Sequence, residues 1–227
     1  MHEEKRLPAR LYAVLHIVEI ALLLYLVWNV SASKNPWEGI YADVNEAVVE
    51  VDAPVDAGLN SSGSGFIFQH PSGRLVIVTC GHVVGDATRA NVTFYDHTTA
   101  RATVAAISSD PDLALLDPAR VDFARFPSLK QGSSGSLRIG DEVMTIGRPR
   151  GQPHHISIGF YSGLIKRNDG PPLLRLSMGV DPGNSGGLVV DRSGAVVGVV
   201  SAKVPDSANV AFAVPIEDIN RAELKLR

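Results

Sequence analysis

The sequence predicts an all-β domain, a sandwich or barrel, preceded by one apolar helix. Three observations predict it. Short β-branched and aromatic runs recur at even spacing, Gly, Pro, Asn or Asp separates nearly every neighbouring pair, and a single unbroken apolar stretch lies near the N-terminus. Strands in this rhythm close on themselves, whereas a parallel sheet would need helical periodicity between them. With 227 residues, roughly 180 of them after the apolar stretch, the chain has room for one globular unit with a sizeable core.

The first element is the apolar stretch Leu11 to Val30, LYAVLHIVEIALLLYLVWNV. As a helix rising ~1.5 Å per residue it spans ~30 Å, the thickness of a bilayer core, and so is a candidate transmembrane signal anchor. Lys5, Arg6 and Arg10 precede it, while Lys34 follows. The positive-inside rule then puts residues 1–10 in the cytoplasm and the rest outside, a single-pass cell-membrane protein with an extracytoplasmic domain. The competing reading is a cleaved signal peptide ending near Val30-Ser31-Ala32, but the apolar region exceeds the usual length of such a segment. His16 and Glu19, three apart inside the stretch, are read as a local pair. Residues 31–43, SASKNPWEGIYAD, are polar with turn formers and read as a linker.

The strand candidates follow in order: 47–51, 65–69, 75–79, 91–95, 102–107, 113–116, 142–146, 156–160, 162–166, 173–177, 188–190, 195–201 and 209–214. Pro215 opens a closing helix over 215–227, because proline suits a first turn and Ile216, Ile219 and Leu224 supply a buried face.

Composition narrows the function. A net charge of −3 leaves no electrostatic footprint for nucleic acid. The single cysteine, Cys80, excludes an internal disulfide framework and reads as a small buried apolar residue. His70, His97, His154 and His155 have no Cys, His or carboxylate set at metal spacing around them and read as structural or surface groups, so no metal site is expected. Asn60-Ser61-Ser62 and Asn91-Val92-Thr93 match glycosylation acceptors, a pattern that matters only in a compartment carrying out that modification.

Three segments carry chemistry: Thr79-Cys80-Gly81-His82-Val83-Val84, Asp110-Pro111-Asp112-Leu113-Ala114-Leu115, and Gly183-Asn184-Ser185-Gly186-Gly187. A serine hydroxyl becomes a nucleophile when a histidine takes its proton and a carboxylate fixes that histidine's tautomer. Gly-x-Ser-x-Gly also fits an α/β-hydrolase elbow, whose histidine comes last, yet no histidine follows His155. A subtilisin-like order would place an Asp before His82, and Asp43, Asp52 or Asp56 could serve, but the strand pattern excludes that fold. Either Asp110 or Asp112 could be a turn residue beside Pro111.

These segments, with Gly63-Ser64-Gly65-Phe66-Ile67-Phe68, Leu137-Arg138-Ile139-Gly140-Asp141-Glu142-Val143 and Ala211-Phe212-Ala213-Val214-Pro215, resemble the protease domain of the HtrA/Deg family of trypsin-like serine peptidases over residues 44–222. The resemblance implies two antiparallel six-stranded β-barrels, about 44–127 and 137–214, with the boundary near Ser128 to Ser136 and the catalytic groups in the cleft between them. It implies His82 as general base, Asp112 as its carboxylate because that residue heads the Leu-Ala-Leu run, and Ser185 as nucleophile. Backbone N–H groups of Gly183 and Ser185 would form the oxyanion hole. The stretch from about Met178 to Pro182 and the strand Gly198-Val199-Val200-Ser201 would line the substrate pocket, which would take small or aliphatic side chains unless Asp181 turns inward.

The chain departs from the family at Leu176-Ser177-Met178-Gly179, where many relatives have Thr-Asp-Ala, and no PDZ module is expected after the domain. The expected function is a membrane-anchored serine endopeptidase acting on unfolded or flexible extracytoplasmic proteins through an acyl-enzyme, with protein or peptide substrates as partners and no cofactor. A homo-oligomer is left open. The alternatives are a latent, peptide-binding scaffold and an ester hydrolase or acyl transferase on the same machinery.

Overall fold

A computed structural model describes residues 9–32, 35–54, 60–149, 154–168, 170–203 and 209–220. It divides into two compact units, residues 1–38 and 39–227.

In the first unit, α1 (Ala9–Ala32) covers the apolar stretch. Arg10–Val27 within it is long and apolar enough to cross a membrane, a property that a span near the N-terminus shares with a signal sequence. His16 Nδ1 lies 3.2 Å from Glu19 Oε2, so the two ionisable groups do pair along the helix. The segment expected as a linker is a helix instead, α2 (Pro36–Val44). Its start is encoded locally: the Trp37 N–H donates to Asn35 Oδ1 at 3.1 Å, Pro36 opens the first turn, and Glu38 sits where the helix dipole favours an acid.

The second unit consists of twelve strands in two closed barrels with the same strand order. β1 (Val48–Pro54), β2 (Asn60–Gln69), β3 (Leu75–Thr79), β4 (Arg89–Thr93), β5 (Thr99–Ser109) and β6 (Asp112–Pro118) form the first, in the order β1-β2-β3-β6-β5-β4. β7 (Glu142–Gly147), β8 (His155–Ile165), β9 (Leu173–Ser177), β10 (Leu188–Val190), β11 (Val196–Lys203) and β12 (Ala211–Pro215) repeat that order in the second. The pairs within each barrel are antiparallel. Phe66 to Phe68, Val76 to Val78 and Leu113 to Leu116 are inaccessible to solvent on consecutive residues, as unbroken apolar runs demand. The second core gathers Val143, Tyr161, Leu174, Leu176, Val189 and Val197.

Two predicted strands, 156–160 and 162–166, are one strand. β8 keeps its pairing with β9 through a bulge at Tyr161 and Gly163, so the polar and glycine residues there bend the strand without ending it. The inter-barrel segment leaves the first barrel at the Phe68–Leu129 bridge and joins the second at Gln131–Val196. The closing helix is a 3-10 turn, Ile216–Asn220, with Ile216 and Ile219 buried, while Leu224 lies outside the described residues. Glu217 secures this turn by accepting from the Ser134 N–H and hydroxyl, both at 2.7 Å.

Candidate active site

β3 delivers the chain to Cys80, after which one helical turn, α3 (Gly81–Val84), presents His82 at the surface of the first barrel. Asp112 heads β6 and reaches His82 twice. Its Oδ2 lies 2.6 Å from Nδ1 of the ring, and its Oδ1 accepts from the His82 backbone N–H at 2.8 Å. Ser201 Oγ donates a third bond to Oδ2 at 2.9 Å. Burial would raise the carboxyl pKa, but the His82 side-chain and backbone bonds, the His82 charge and the Ser201 hydroxyl together hold it below the ordinary value. An ionised Asp112 can only accept, so Nδ1 carries the proton and a neutral ring keeps a lone pair on Nε2. Asp110 takes no part: its Oδ1 binds Arg167 Nη1 at 2.7 Å.

Ser185 lies in the loop between β9 and β10. Gly183 at φ +96° and Gly186 at φ +85° set the course of this loop. A Cβ on Gly186 would stand 2.1 Å from the Ser64 carbonyl and 2.4 Å from Thr79 Oγ1, so only glycine fits against the first barrel here. Backbone bonds run from Asn184 N–H to the Asp181 carbonyl (3.1 Å), Gly186 N–H to the Val200 carbonyl (2.7 Å) and Gly187 N–H to the Asn184 carbonyl (2.8 Å). Among the described residues, the N–H groups of Gly183 and Ser185 donate to no protein acceptor. That alternation leaves two donors for an oxyanion.

A part of this support that sequence reasoning missed is Ser64, fully buried in β2. Its hydroxyl donates to the Gly183 carbonyl at 2.6 Å and accepts from the Arg148 N–H at 2.7 Å. Its N–H donates to the Ser185 carbonyl at 2.8 Å. Ser64 thus holds the Ser185 loop from both sides of Asn184. The flanking Gly63 and Gly65 mark a close backbone approach here, but the triplet does not say which distant groups the hydroxyl meets.

His82 and Ser185 border one cleft of about 350 Å³, together with Ser62, Val180, Asp181, Pro182, Gly183 and Val200. No hydrogen bond joins Ser185 Oγ to His82 among the described residues. A second hollow of about 900 Å³ continues from His82 and Asp112 along β5 through Val104 and Ile107. Of the expected pocket residues, Val180, Asp181, Pro182 and Val200 border the cleft. Val199 is fully buried opposite Leu188, and the Ser201 hydroxyl serves Asp112, because alternation along β11 turns these two side chains away from Val200. Met178 packs into the second core.

Cys80 lies within 4.8 Å of ligand atoms of His82 and Asp112. Burial, then the nearby Asp112 charge, raises its thiol pKa well above normal, and its Sγ donates to the Val200 carbonyl at 3.1 Å. It is a protonated packing residue. His155, expected to be structural or solvated, contacts the Ser185 loop at Asp181 and Asn184.

Comparison with known proteins agrees with this fold. Residues 63–199 match the family described as trypsin-like peptidase domain. An HtrA-like serine protease of Staphylococcus haemolyticus is 32% identical over 70% of this chain and 27% of its own length. One from Staphylococcus epidermidis is 33% identical over 74% of this chain and 31% of its own. The chain therefore spans about a third or less of these relatives. The solved HtrA-type protease AlgW with a tripeptide superposes with a TM-score of 0.67 at 26% identity, covering 80% of this chain and 60% of AlgW. AlgW with a decapeptide gives a TM-score of 0.66 at 22% identity, over 78% and 63%. The chain belongs to the trypsin-like peptidase family and is similar, within it, to the HtrA-like serine proteases.

Proposed function

We propose that the chain is a membrane-anchored serine endopeptidase that hydrolyses peptide bonds in unfolded or flexible extracytoplasmic proteins. The observation that carries the reading is the His82 Nδ1 to Asp112 Oδ2 contact of 2.6 Å beside Ser185 in a shared cleft. In this reading, bare Nε2 of His82 takes the Ser185 proton as Oγ attacks the substrate carbonyl. Asp112 stabilises the imidazolium, and the N–H groups of Gly183 and Ser185 receive the oxyanion. His82 then protonates the leaving amine, and water releases the acyl group by the reverse sequence. The residues of this machinery are all protein groups, so the proposed chemistry calls on no cofactor.

Peptide substrates are supported by the tripeptide and decapeptide in the AlgW structures. Anchoring is supported by the apolar helix Arg10–Val27, and the outward placement of the domain by Lys5, Arg6 and Arg10 on its N-terminal side. The test is hydrolysis of casein by the full chain in detergent micelles beside Ser185→Ala. Cleavage that vanishes in the variant supports the proposal. Cleavage that persists, or none by either chain, contradicts it.

A further inference from the structure

Resting on the reading of Ser185 as nucleophile, we propose that His155 is a positioning residue for the reaction. Its imidazole holds the nucleophile turn by two side chains at once, Asn184 through Nδ1 and Asp181 through Nε2.

Asn184 Nδ2 lies 2.5 Å from His155 Nδ1, and Asp181 Oδ2 lies 3.1 Å from His155 Nε2. A carboxylate at ion-pair distance favours the proton on Nε2, which leaves Nδ1 to offer its lone pair to the Asn184 amide. The opposite tautomer would set a lone pair against Asp181 and turn an N–H on the Asn184 amino group. One proton arrangement therefore satisfies both contacts.

Asn184 has no slack to relinquish this contact. It is 1% exposed, and among the described residues its Oδ1 is buried without a partner. That oxygen lies so near Gly147 that a Cβ there would come within 2.4 Å. His155 itself is paired with Gly147 in the β7–β8 ladder, so the brace stands on a strand rather than on a loop.

The functional consequence lies in the backbone. The Asn184 N–H already closes the turn onto the Asp181 carbonyl at 3.1 Å, and its carbonyl accepts from Gly187 at 2.8 Å. The Ser185 N–H, one of the two oxyanion donors, belongs to the peptide plane of the Asn184 carbonyl. Any rotation of Asn184 therefore swings that donor. Fixing its side chain fixes the donor, while the arm to Asp181 holds the carboxylate that borders the cleft.

The two arms can be separated. In His155→Asn the new amide oxygen can replace Nδ1 as acceptor for Asn184, and in His155→Gln the new amide nitrogen can replace Nε2–H as donor to Asp181. Full-length chains in detergent are assayed on fluorescein-labelled casein, with circular dichroism to confirm folding. His155→Ala lowers kcat by about tenfold or more, the scale of a weakened oxyanion donor. His155→Asn recovers most of kcat, whereas His155→Gln recovers KM and not kcat. Equal kcat in wild type and His155→Ala, or equal losses in the Asn and Gln variants, overturns the proposal.

An inactive wild type would count against the endopeptidase reading and leaves a second readout of the brace. Long-range 15N–1H spectra are expected to place the His155 proton on Nε2, with Nδ1 shifting in Asn184→Ala. A ring protonated on Nδ1, or one insensitive to that substitution, overturns the brace whatever the activity.

Discussion

Replacing Ser64 by alanine removes one hydroxyl from a fully buried site and leaves its backbone bonds to Ser185 and Thr79 in place. Two backbone groups lose their partner: the Gly183 carbonyl, 2.6 Å from Oγ, and the Arg148 N–H, 2.7 Å away. A buried group left unsatisfied costs about 1–3 kcal/mol, so the pair costs about 2–6 kcal/mol if nothing moves. The loop can relax by rotating the Gly183 peptides toward solvent, which lowers the stability loss but misdirects an oxyanion donor. Losing such a donor costs about 2.7–4 kcal/mol of transition-state stabilisation, or about 10²–10³ in kcat. Urea unfolding and casein hydrolysis, measured on the same preparation, read the two outcomes. Either stability falls by at least about 2 kcal/mol, or kcat falls by at least about tenfold, or both. A variant within about 0.5 kcal/mol and twofold of wild type on both scales refutes the reasoning.

Asp112→Asn should lower kcat by about 10³–10⁴-fold by allowing the wrong His82 tautomer; Asp110→Asn, which loses a partly exposed pair with Arg167, should stay within about twofold. His154 is pushed down to about 4 by burial and then by the Arg148 charge. The unfolded chain therefore takes up this proton first, and stability falls as pH drops from about 6.5 toward 4. The bound of ~3 kcal/mol shrinks to about 1–2 kcal/mol because the ring is partly exposed; His154→Gln should remove that slope from Tm against pH, and an unchanged slope contradicts it. Asp112, lowered in the folded chain, contributes stability above about pH 4 that is lost as pH falls through its folded value, so its effect lies on the acid side of the His154 window. Gly186→Ala meets backbone at 2.1 Å with φ +85° and should cost at least about 3 kcal/mol in urea unfolding.

Much of the fold was legible because its signals are local. β3, β9 and β10 coincide with the predicted 75–79, 173–177 and 188–190, where apolar runs end at turn residues on both sides. Residues 31–43 misled because their polarity masked a capped helix start in Asn35-Pro36-Trp37-Glu38, which is readable once Asn35 is taken as the cap. At the site, the segments brought His82 and Ser185 to one cleft with Asp112 behind the His82 ring, and the choice between Asp110 and Asp112 follows from which oxygen faces the imidazole. The roles of Ser64, Ser201 and His155 were not legible. Each depends on contacts across 119, 89 and 29 positions, and no pattern within a strand encodes which distant carbonyl or carboxylate a hydroxyl or ring will meet.

The central claim is that Ser185 is made nucleophilic by His82 and Asp112. Intact-mass and peptide-level mass spectrometry after exposure to a serine-directed fluorophosphonate tests it most directly. One phosphonyl group is expected, on the peptide carrying Ser185, formed rapidly in wild type and about 10³-fold or more slowly in His82→Ala. An adduct elsewhere in the chain, or labelling of Ser185 at the same rate without His82, would contradict it.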